Sequence, residues 1–297
     1  MSKKISFLLI LVLTLCLAGH SWAYEAAVLK SANIRPYNDA LRGFQSSCGC
    51  SVTTVTPEWT GDSSLGEEIS RLHPDVVLAI GMDALAQVRT ITDLPVIYVM
   101  VPGRLTGGKA GKASGVSMYI SPSRYLDAMK RLFPTARRIG LVYDPKNSDA
   151  YVKEAMRAAA VRGIDLVVKR ADTAASVPAL MDGLKGKIDL FWMLPEPALL
   201  NSATVDYMFL FSFEDRVPIF TFSKKYVDMG AAAALTVDSF DMGAQAGTIA
   251  KRLQGAGNAG KIRVDAHVSG LVINRKVLEK LGIRVNAKTI GRAENAD

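Results

Sequence analysis

The hydrophobic positions of this 297-residue chain fall into short, almost continuous apolar runs separated by amphipathic stretches. Such runs are typical of parallel strands covered on both faces, and the amphipathic stretches between them indicate helices. The first four runs lie at residues 26–29, 51–55, 75–80 and 94–100. The helices are predicted at residues 36–46, 63–72, 84–90, 121–133, 149–162, 176–184, 240–253 and 275–281. Strand and helix alternate, which predicts an α/β fold with parallel sheets.

The same order of apolar runs occurs a second time, at residues 139–143, 164–168, 188–193 and 217–222. Three pairs of positions in the two copies are separated by the same 113 residues: Val28 and Leu141, Thr53 and Leu166, and Leu78 and Phe191. The fourth pair, Ile97 and Ile219, is separated by 122 residues, so we expect a longer connection at residues 198–216. The repeat predicts two lobes of similar architecture with a cleft between them.

The segment after residue 230 is predicted to pass between the two lobes. A small apolar run at residues 231–237 precedes a helix, and apolar runs at 262–264 and 270–273 follow it. With the passage after the first copy, these make three crossings, and several connections of this kind form a hinge that permits closure. We therefore expect two doubly wound parallel-sheet lobes joined by a three-crossing hinge. Lobe 1 is predicted to contain residues 24–118 and 236–260, and lobe 2 residues 119–235 and 261–297.

The first 23 residues are typical of a secretory signal peptide that is cleaved near Ala23. Two lysines precede an apolar run at residues 5–18, and small residues follow it. The run is shorter than the roughly 20 apolar residues that a membrane-spanning helix needs. Cys16 follows Leu15 rather than a small residue, so we do not expect a lipid anchor there. The sequence predicts export to the periplasm.

The formal charge of +8 is spread over scattered lysines and arginines. A nucleic-acid-binding face needs clustered basic residues with stacking aromatic side chains. The chain has no cluster of this kind, so nucleic acid is excluded as a partner and acidic ligands are favoured only mildly.

Cleavage of the signal peptide leaves Cys48 and Cys50 as the only cysteines. They can form a local disulfide, or lie as two small residues at a strand edge, where alternate side chains share one face. A metal site would need further ligands, and none lies near them in the sequence. We therefore expect no bound metal.

Signals for enzyme chemistry or a nucleotide cofactor are weak. Residues 255–260 match GxGxxG in letters, but they follow a helix where the fingerprint requires a strand and then a helix. Residues 103–109 approach a phosphate-binding loop, but Ala110 occupies the position of the magnesium-binding hydroxyl. His73 and His267 do not lie beside a serine or cysteine in a nucleophile motif. The sequence predicts neither catalytic residues nor a cofactor.

Several short motifs occur in the order and spacing of one known family. They are Gly-Val-Ser at 115–117, Arg-Ile-Gly-Leu-Val-Tyr-Asp-Pro at 138–145, Leu-Pro-Glu-Pro at 194–197, Val-Pro-Ile-Phe at 217–220 and Leu-Val-Ile-Asn at 271–274. With these motifs the chain resembles the periplasmic substrate-binding proteins of ABC transporters, in the subfamily that includes aromatic amino-acid binders. The resemblance implies a type I periplasmic-binding-protein fold and a small solute held between the lobes. It also implies delivery to an ABC permease in the inner membrane, and we expect a monomer.

The candidate ligand-binding residues follow the predicted strands, because open α/β sheets bind ligands at the carboxyl ends of their strands. They are Ser31, Asn33, Gly81, Met82, Asp83, Tyr143, Asp144, Asn147, Ser148, Pro195, Glu196, Phe222 and Asp238. The resembling subfamily often has Gly-Thr-Pro-Ala in its first-lobe loop, where this chain has Gly-Met-Asp-Ala at residues 81–84. The hydroxyl of that loop is therefore replaced by a carboxylate.

Two kinds of group among these candidates suit an amino acid or a similar small carboxylate. The helix starts at residues 81–83 and 147–148 offer N–H groups to a ligand carboxylate. Asp83, Asp144, Glu196 and Asp238 can face a ligand ammonium, or each can cap a helix instead. The aromatic side chains near the loops provide either stacking surfaces or packing; they are Tyr37, Trp59, Tyr143 and Phe222.

Three functions are compatible with these features. The leading one is a periplasmic solute-binding protein of an ABC uptake system that closes around its ligand. The alternative is a periplasmic ligand sensor that partners a membrane receptor or a sensor kinase. The third, a secreted enzyme on an α/β scaffold, rests on fold analogy alone.

Overall fold

The computed structural model describes residues 24–55, 64–89, 94–102, 111–255, 261–283 and 294–295, so the predicted signal peptide lies outside the described residues. The strands of the first half are β1 (Glu25–Lys30), β2 (Ser51–Val55), β3 (Val76–Ile80), β4 (Val96–Val101) and β5 (Ser114–Ser117). Those of the second half are β6 (Arg138–Tyr143), β7 (Asp165–Arg170), β8 (Leu190–Trp192), β9 (Ile219–Thr221) and β10 (Ala233–Val237). Three strands follow: β11 (Arg263–Asp265), β12 (Val268–Ile273) and β13 (Glu294–Asn295).

The helices alternate with the strands, as the pattern predicts. In the first half they are α1 (Arg35–Cys48), α2 (Leu65–Arg71) and α3 (Met82–Val88). In the second half they are α4 (Pro122–Leu132), α5 (Pro145–Val161), α6 (Val177–Asp182), α7 (Ser202–Glu214) and α8 (Lys224–Met229). The last part of the chain has α9 (Ser239–Gly255) and α10 (Arg275–Lys280).

The strands form two sheets with the same internal order. The first sheet has the order β11-β5-β4-β3-β1-β2 and the second β13-β12-β10-β9-β8-β6-β7. The predicted repeat is therefore confirmed as repeated architecture. The registers refine it, because Ala26 pairs with Val76 and Ile139 pairs with Leu190. When the first strands of the two copies are aligned at a separation of 113 residues, the third strands align at a separation of 114 residues.

Each sheet is covered by helices on both faces, which explains the continuous apolar runs. In lobe 1, the first sheet with its helices, α1 and α9 cover one face and α2 and α3 the other. In lobe 2, the second sheet with its helices, α4, α5 and α10 cover one face and α6, α7 and α8 the other. All five residues of β3 are buried, as expected for a strand packed on both sides.

The helix α7 is missing from the sequence prediction, which has only a long connection at residues 198–216. Its buried residues include Met208 and Phe211, but Leu210 and Phe213 on the same helix are 51% and 42% exposed. A helix that is apolar on all sides has no amphipathic period to recognise. The extra length of the second half is divided between this 13-residue helix and the loop that precedes it, whereas α3 has 7 residues.

The chain changes sheet three times, in agreement with the expected hinge. It passes from β5 to α4 at residues 118–121, from β10 to α9 at residue 238, and from β11 to β12 at residues 266–267. The last passage corrects the expected lobe boundary, because β11 pairs with β5 and so belongs to lobe 1. Residues 236–237 likewise remain in β10 of lobe 2. Among the described residues, none of the helices combines the length and apolar character that a membrane span requires.

The second sheet departs from the expectation of wholly parallel sheets, because β12 runs antiparallel to β10 and β13 runs parallel to β12. The physical reason is the crossing itself. The chain leaves lobe 2 at the carboxyl end of β10 and returns at the same edge, beside Val237, where Val268 begins β12. A strand that enters at the end where its neighbour leaves must run in the opposite direction.

Hydrogen bonds fasten the first crossing to both lobes and the third crossing to lobe 1. In the first, the Met118 N–H donates to Val101 O at 2.9 Å in lobe 1, and the Tyr119 hydroxyl donates to Glu154 Oε2 at 2.7 Å in lobe 2. In the third, His267 Nδ1 lies 3.1 Å from Asp241 Oδ2 of α9. Both crossings are therefore held by hydrogen bonds one or two residues from the point where the chain changes lobe.

The helix pair α1 and α9 is packed with backbone against backbone. A Cβ added at Gly243 would lie 1.9 Å from Ala40 O, and one added at Gly43 would lie 1.9 Å from Phe240 O. No real Cβ fits at such distances, so this contact requires glycine. The close approach fixes the position of α1, whose first turns lie at the carboxyl edge of the sheet.

Cys48 and Cys50 form a disulfide, with their Cα atoms 5.2 Å apart. The geometry differs from the extended strand edge of the sequence interpretation, because Cys48 is the last residue of α1. Gly49 between them has φ 62°, which brings the two side chains together at the end of the helix. Glycine adopts this left-handed conformation without steric cost.

Candidate functional site

The predicted site residues collect in two clusters at the carboxyl edges of the sheets. All three crossings leave from carboxyl ends of strands, so this edge of each lobe faces the other lobe. The lobe 1 cluster contains Ser31, Asn33, Gly81, Met82 and Asp83, after β1 and β3, which are neighbours. The lobe 2 cluster contains Tyr143, Asp144, Asn147, Ser148, Pro195, Glu196 and Phe222, after β6, β8 and β9. Asp238 lies apart from both, at the second crossing.

Gly81 is the centre of the lobe 1 cluster. It joins β3 directly to α3 and has φ 95°, a conformation that L side chains rarely adopt. A Cβ at this position would lie 2.5 Å from Ser31 Oγ and 2.8 Å from the Tyr37 hydroxyl oxygen. The missing side chain therefore leaves a small cradle bounded by two hydroxyl groups.

The groups around this cradle are mainly hydrogen-bond donors. The Ala84 N–H donates to Ser31 Oγ at 2.9 Å, while the N–H groups of Met82 and Asp83 have no partner within the described residues. Burial, and then the charge of Asp83, raises the pKa of Tyr37, so its hydroxyl stays protonated at neutral pH. Two free amides and two hydroxyls beside a glycine suit the two oxygens of a carboxylate.

Tyr37 packs against the core of lobe 1, which is one of the two alternatives from the sequence. Its hydroxyl lies beside Gly81, which the sequence does not predict. Asn33 accepts a hydrogen bond from Asn38 Nδ2 at 3.0 Å, and Asn38 in turn accepts one from Lys30 Nζ at 2.8 Å. Asn33 thus belongs to a local chain of side chains beside the cluster. Trp59 lies outside the described residues.

The lobe 2 cluster differs because the N–H groups at its helix start already have hydrogen-bond partners within the protein. The helix α5 begins at Pro145, four residues before the predicted start, and Asp144 is its N-cap. Asp144 Oδ1 accepts from the Lys146 N–H at 2.9 Å, and Oδ2 accepts from Asn147 Nδ2 at 2.8 Å. The N–H groups of Asn147 and Ser148 donate to Asp144 O. The expectation that these two amides are free for a ligand carboxylate is therefore wrong.

The reason lies in the sequence Asp-Pro at residues 144–145. The pattern fits a turn, but proline is equally favourable in the first turn of a helix, and aspartate is among the preferred N-caps. Asp238 also acts as a cap, because its Oδ1 accepts from the Asp241 N–H at 2.7 Å in the first turn of α9. The capping alternative that the sequence left open is thus realised for both aspartates.

Glu196 is the unusual group of lobe 2. It is 2% exposed, and neither carboxyl oxygen has a hydrogen-bond partner within the described residues. Burial raises the pKa of Glu196 to about 7. The Ser148 hydroxyl and the Asp144 N–H lie close enough to oppose this rise in pKa, and the negative charge of Asp144 adds to it. The side chain therefore lies behind the first turn of α5, close to the Ser148 hydroxyl and the Asp144 N–H.

The remaining candidates of lobe 2 make local contacts. The Tyr143 hydroxyl donates to Asp149 Oδ1 at 3.2 Å. Phe222 packs edge to face against Tyr226, with ring centroids 5.4 Å apart. Pro195 is exposed beside Glu196. Tyr143 and Phe222 therefore have partners within lobe 2, and their contact with a ligand stays a prediction.

Two further features lie away from the clusters. A groove of about 590 Å³ between α4 and the β10–β12 pair is lined by Arg124, Asp127, Lys130, Arg131, Leu235 and Val268. None of the predicted site residues lines it. In the part of the chain that the structure describes, no group of three or more His, Cys, Asp and Glu side chains could hold a metal ion.

Comparison with known proteins places this geometry in a family. Residues 65–296 match the model of the family described as ABC transporter substrate binding protein. A tyrosine-binding protein from Clostridioides difficile is 27% identical over 237 residues, which cover 75% of this chain and 68% of that protein.

Solved structures share the fold at lower identity. A ligand-free, open structure of a substrate-binding protein with adhesive properties from Clostridium difficile has a TM-score of 0.73 at 17% identity, covering 92% of this chain and 99% of that one. An ABC domain in complex with L-Trp from Streptococcus pneumonia has a TM-score of 0.68 at 19% identity, with the same coverage. The expected two-lobed type I periplasmic-binding-protein fold is confirmed. This chain belongs to the family of ABC transporter substrate-binding proteins.

Proposed function

We propose that this protein binds a free aromatic amino acid between its two lobes and delivers it to an ABC permease. Its membership of a substrate-binding family supports the binding role. The aromatic class is supported by the tyrosine-binding relative and by the similar fold that was solved with L-Trp. Delivery to a permease and export to the periplasm belong to the proposal, which the family description and the signal-like first 23 residues support.

The observation that carries the proposal is the set of donors around Gly81. A free amino acid always presents a carboxylate, and the lobe 1 cluster offers the hydroxyls of Ser31 and Tyr37 with the amides of Met82 and Asp83. Hydrogen bonds to a charged acceptor contribute about 1.5–3 kcal/mol each when well placed. We therefore expect the ligand carboxylate to bind on lobe 1, and the hinge to close lobe 2 over it.

Calorimetric titration of the mature chain with the twenty amino acids tests this function. We expect tyrosine, tryptophan or phenylalanine to bind at least tenfold more tightly than aliphatic or charged amino acids. Small-angle scattering should show compaction when the tightest ligand is added. If none of the aromatic amino acids bound, the proposal would be overturned.

The Gly81→Ala variant tests the carboxylate site. Its Cβ would fill the cradle between Ser31 and Tyr37, so the affinity for the amino acid should fall at least tenfold. The matched control is Gly163→Ala, since Gly163 also has a positive φ of 64° but has no atom within 4 Å of the added Cβ. Backbone strain is then common to both variants, and equal affinity in the two would place the carboxylate elsewhere.

A further inference from the structure

The groove between α4 and the β10–β12 pair lies apart from both candidate clusters. Its volume of about 590 Å³ falls within the range of about 300–1,000 Å³ that is usual for ligand pockets. Its lining has two parts of different character, a basic face of α4 and an apolar face of the two strands. The proposed amino-acid site does not account for this cavity.

The floor of the groove is apolar. Leu235 lies two residues before Val237 in β10, and Val237 pairs with Val268 at the start of β12. Alternate residues of a strand share a face, and Leu235 and Val268 both pack with the core that α4 covers. Val268 stays partly exposed. The floor can therefore bury an apolar side chain of an occupant.

The wall formed by α4 carries positive charge. Arg124 and Arg131 are both exposed, and neither guanidinium has a hydrogen bond or salt bridge within the described residues. Their separation of seven residues amounts to almost two full turns, so they lie on the same side of the helix, about 10 Å apart along its axis. Both also line the groove. Two free cations therefore stand along one edge of the apolar floor.

The acid in the groove lining, Asp127, is already paired. Its Oδ1 accepts from Arg162 Nε at 2.7 Å, and its Oδ2 accepts from Arg162 Nη2 at 3.0 Å. These hydrogen bonds lower the pKa of Asp127, so the carboxylate stays ionised and bound to Arg162. Lys130 Nζ donates to Arg162 O at 3.0 Å, which uses one of its three donors. The charge that remains for an occupant is therefore positive.

We infer that this groove binds an acidic peptide segment of a partner protein, with one carboxylate on Arg124, one on Arg131 and an apolar side chain between them on the floor. An extended peptide rises about 3.3 Å per residue, so acids three residues apart span the distance between the two arginines. Arginine binds a carboxylate through two parallel hydrogen bonds. A single small anion would use only one end of the groove, which favours a peptide. The inference is independent of the proposed amino-acid ligand.

Fluorescence anisotropy of labelled tetrapeptides tests this inference. The probe Glu-Leu-Leu-Glu has acids at the required spacing, and Glu-Glu-Leu-Leu has the same composition with adjacent acids. We expect the mature chain to bind the first probe about threefold or more tightly than the second. Added salt should weaken the binding, because exposed charge pairs are screened. Equal affinity for the two probes would overturn the inference.

The double variant Arg124→Gln with Arg131→Gln removes both free charges from the groove. We expect it to weaken binding of Glu-Leu-Leu-Glu about tenfold, since both charge-assisted contacts are lost. The matched control is Lys251→Gln with Arg252→Gln, which removes two exposed charges from α9 on lobe 1. It should leave the affinity nearly unchanged. Equal weakening in the two double variants would mean that net charge alone attracts the peptide, against the inference.

Two further measurements separate this inference from other outcomes. The groove variant should keep the thermal stability and the L-tyrosine affinity of the wild type, because the groove lies outside the cleft. Vesicles of phosphatidylcholine and phosphatidylglycerol replace the peptide in a parallel titration. If vesicles but not peptide bound through the two arginines, the groove would face a membrane and the inference would be wrong. Failure of the wild type to bind any aromatic amino acid would overturn the proposed function alone.

Discussion

The two lobes have the same strand order but treat their helix starts in opposite ways. In lobe 1, the N-cap residues of the helices that follow the first and third strands, α1 and α3, make no side-chain hydrogen bond to the helix. In lobe 2, the corresponding helices α5 and α7 are capped by Asp144 and Asn201. The donors at the edge of lobe 1 remain available, whereas those of lobe 2 are consumed by the protein itself.

The connections after the third strands differ in the same sense. In lobe 1 the single residue Gly81 joins β3 to α3, which brings free amides to the edge of the sheet. In lobe 2 a loop of residues 193–201 separates β8 from α7, and this loop buries Glu196. One lobe therefore offers hydrogen-bond donors at its edge, whereas the other buries an acid.

The difference between the two lobes depends first on the packing that positions α1 in lobe 1. The Gly243→Ala variant would place a Cβ 1.9 Å from Ala40 O, and the helices would have to separate. We expect the free energy of unfolding to fall by about 3 kcal/mol or more, since overpacking against backbone cannot relax by side-chain rotation. Urea denaturation measures this loss.

The control for this variant is Gly255→Ala at the end of the same helix, where an added Cβ meets no atom within 4 Å. A glycine-to-alanine change in open helical space is neutral or stabilising by about 0.5 kcal/mol. Similar stability in the two variants would show that the close approach of α1 and α9 is not what holds lobe 1 together.

The buried acid of lobe 2 predicts an unusual dependence of stability on pH. Because the pKa of Glu196 is raised from 4.5 to about 7, the folded state holds this proton more tightly than the unfolded chain does. The stabilisation is complete below pH 4.5, falls as the pH rises to about 7, and then stays lost. The difference is on the order of 3 kcal/mol.

The Glu196→Gln variant removes this penalty. It should be more stable than the wild type at pH 8, by up to about 3 kcal/mol, and nearly equal to it at pH 4.5. Urea denaturation at the two pH values makes the comparison. A constant difference across this range would mean that Glu196 does not change its protonation on folding.

Removing the cap of α5 would make lobe 2 resemble lobe 1. The Asp144→Ala variant frees the Lys146 N–H and the Asn147 side chain, and should cost about 1 kcal/mol of stability. Asp144→Asn keeps an acceptor for the Lys146 N–H and should cost less than half as much. If thermal denaturation gave equal losses for the two variants, the charge rather than the hydrogen bond would be the stabilising element.

The opposite change would give lobe 1 a cap. Ile34 is the N-cap of α1, is 46% exposed and has the extended backbone that a capping side chain needs. Ile34→Asp should therefore stabilise the protein by about 0.5–1 kcal/mol in thermal or urea denaturation. A loss of stability would indicate that the apolar side chain of Ile34 contributes more than the missing cap.

Much of the fold follows from local signals. The strands are buried on both faces, so their apolar runs are visible in the sequence. Ser64 and Glu67 form a capping box at the start of α2, and both residues are close together in the sequence. The helix α7 lacks such a signal because it is apolar on all sides. The start of α5 is ambiguous because Asp-Pro suits both a turn and a cap, and the direction of β12 depends on where the chain crosses the hinge.

The site is only partly visible in the sequence. The position of Gly81 between a strand and a helix marks a candidate ligand-binding loop by local rules alone. The proximity of the Tyr37 hydroxyl to Gly81 depends on the rotation of α1, which its packing against α9 determines. The burial of Glu196 depends on how a loop folds behind α5. Contacts between distant segments decide both, so no local pattern contains them.

The central claim is that the carboxylate of a free aromatic amino acid binds at the hydrogen-bond donors of lobe 1. Its most direct test is a calorimetric titration of the wild type with L-tyrosine and with tyramine, which lacks the carboxylate. The account predicts that tyramine binds at least tenfold more weakly than L-tyrosine. If tyramine bound as tightly as the amino acid, lobe 1 would not hold the ligand carboxylate.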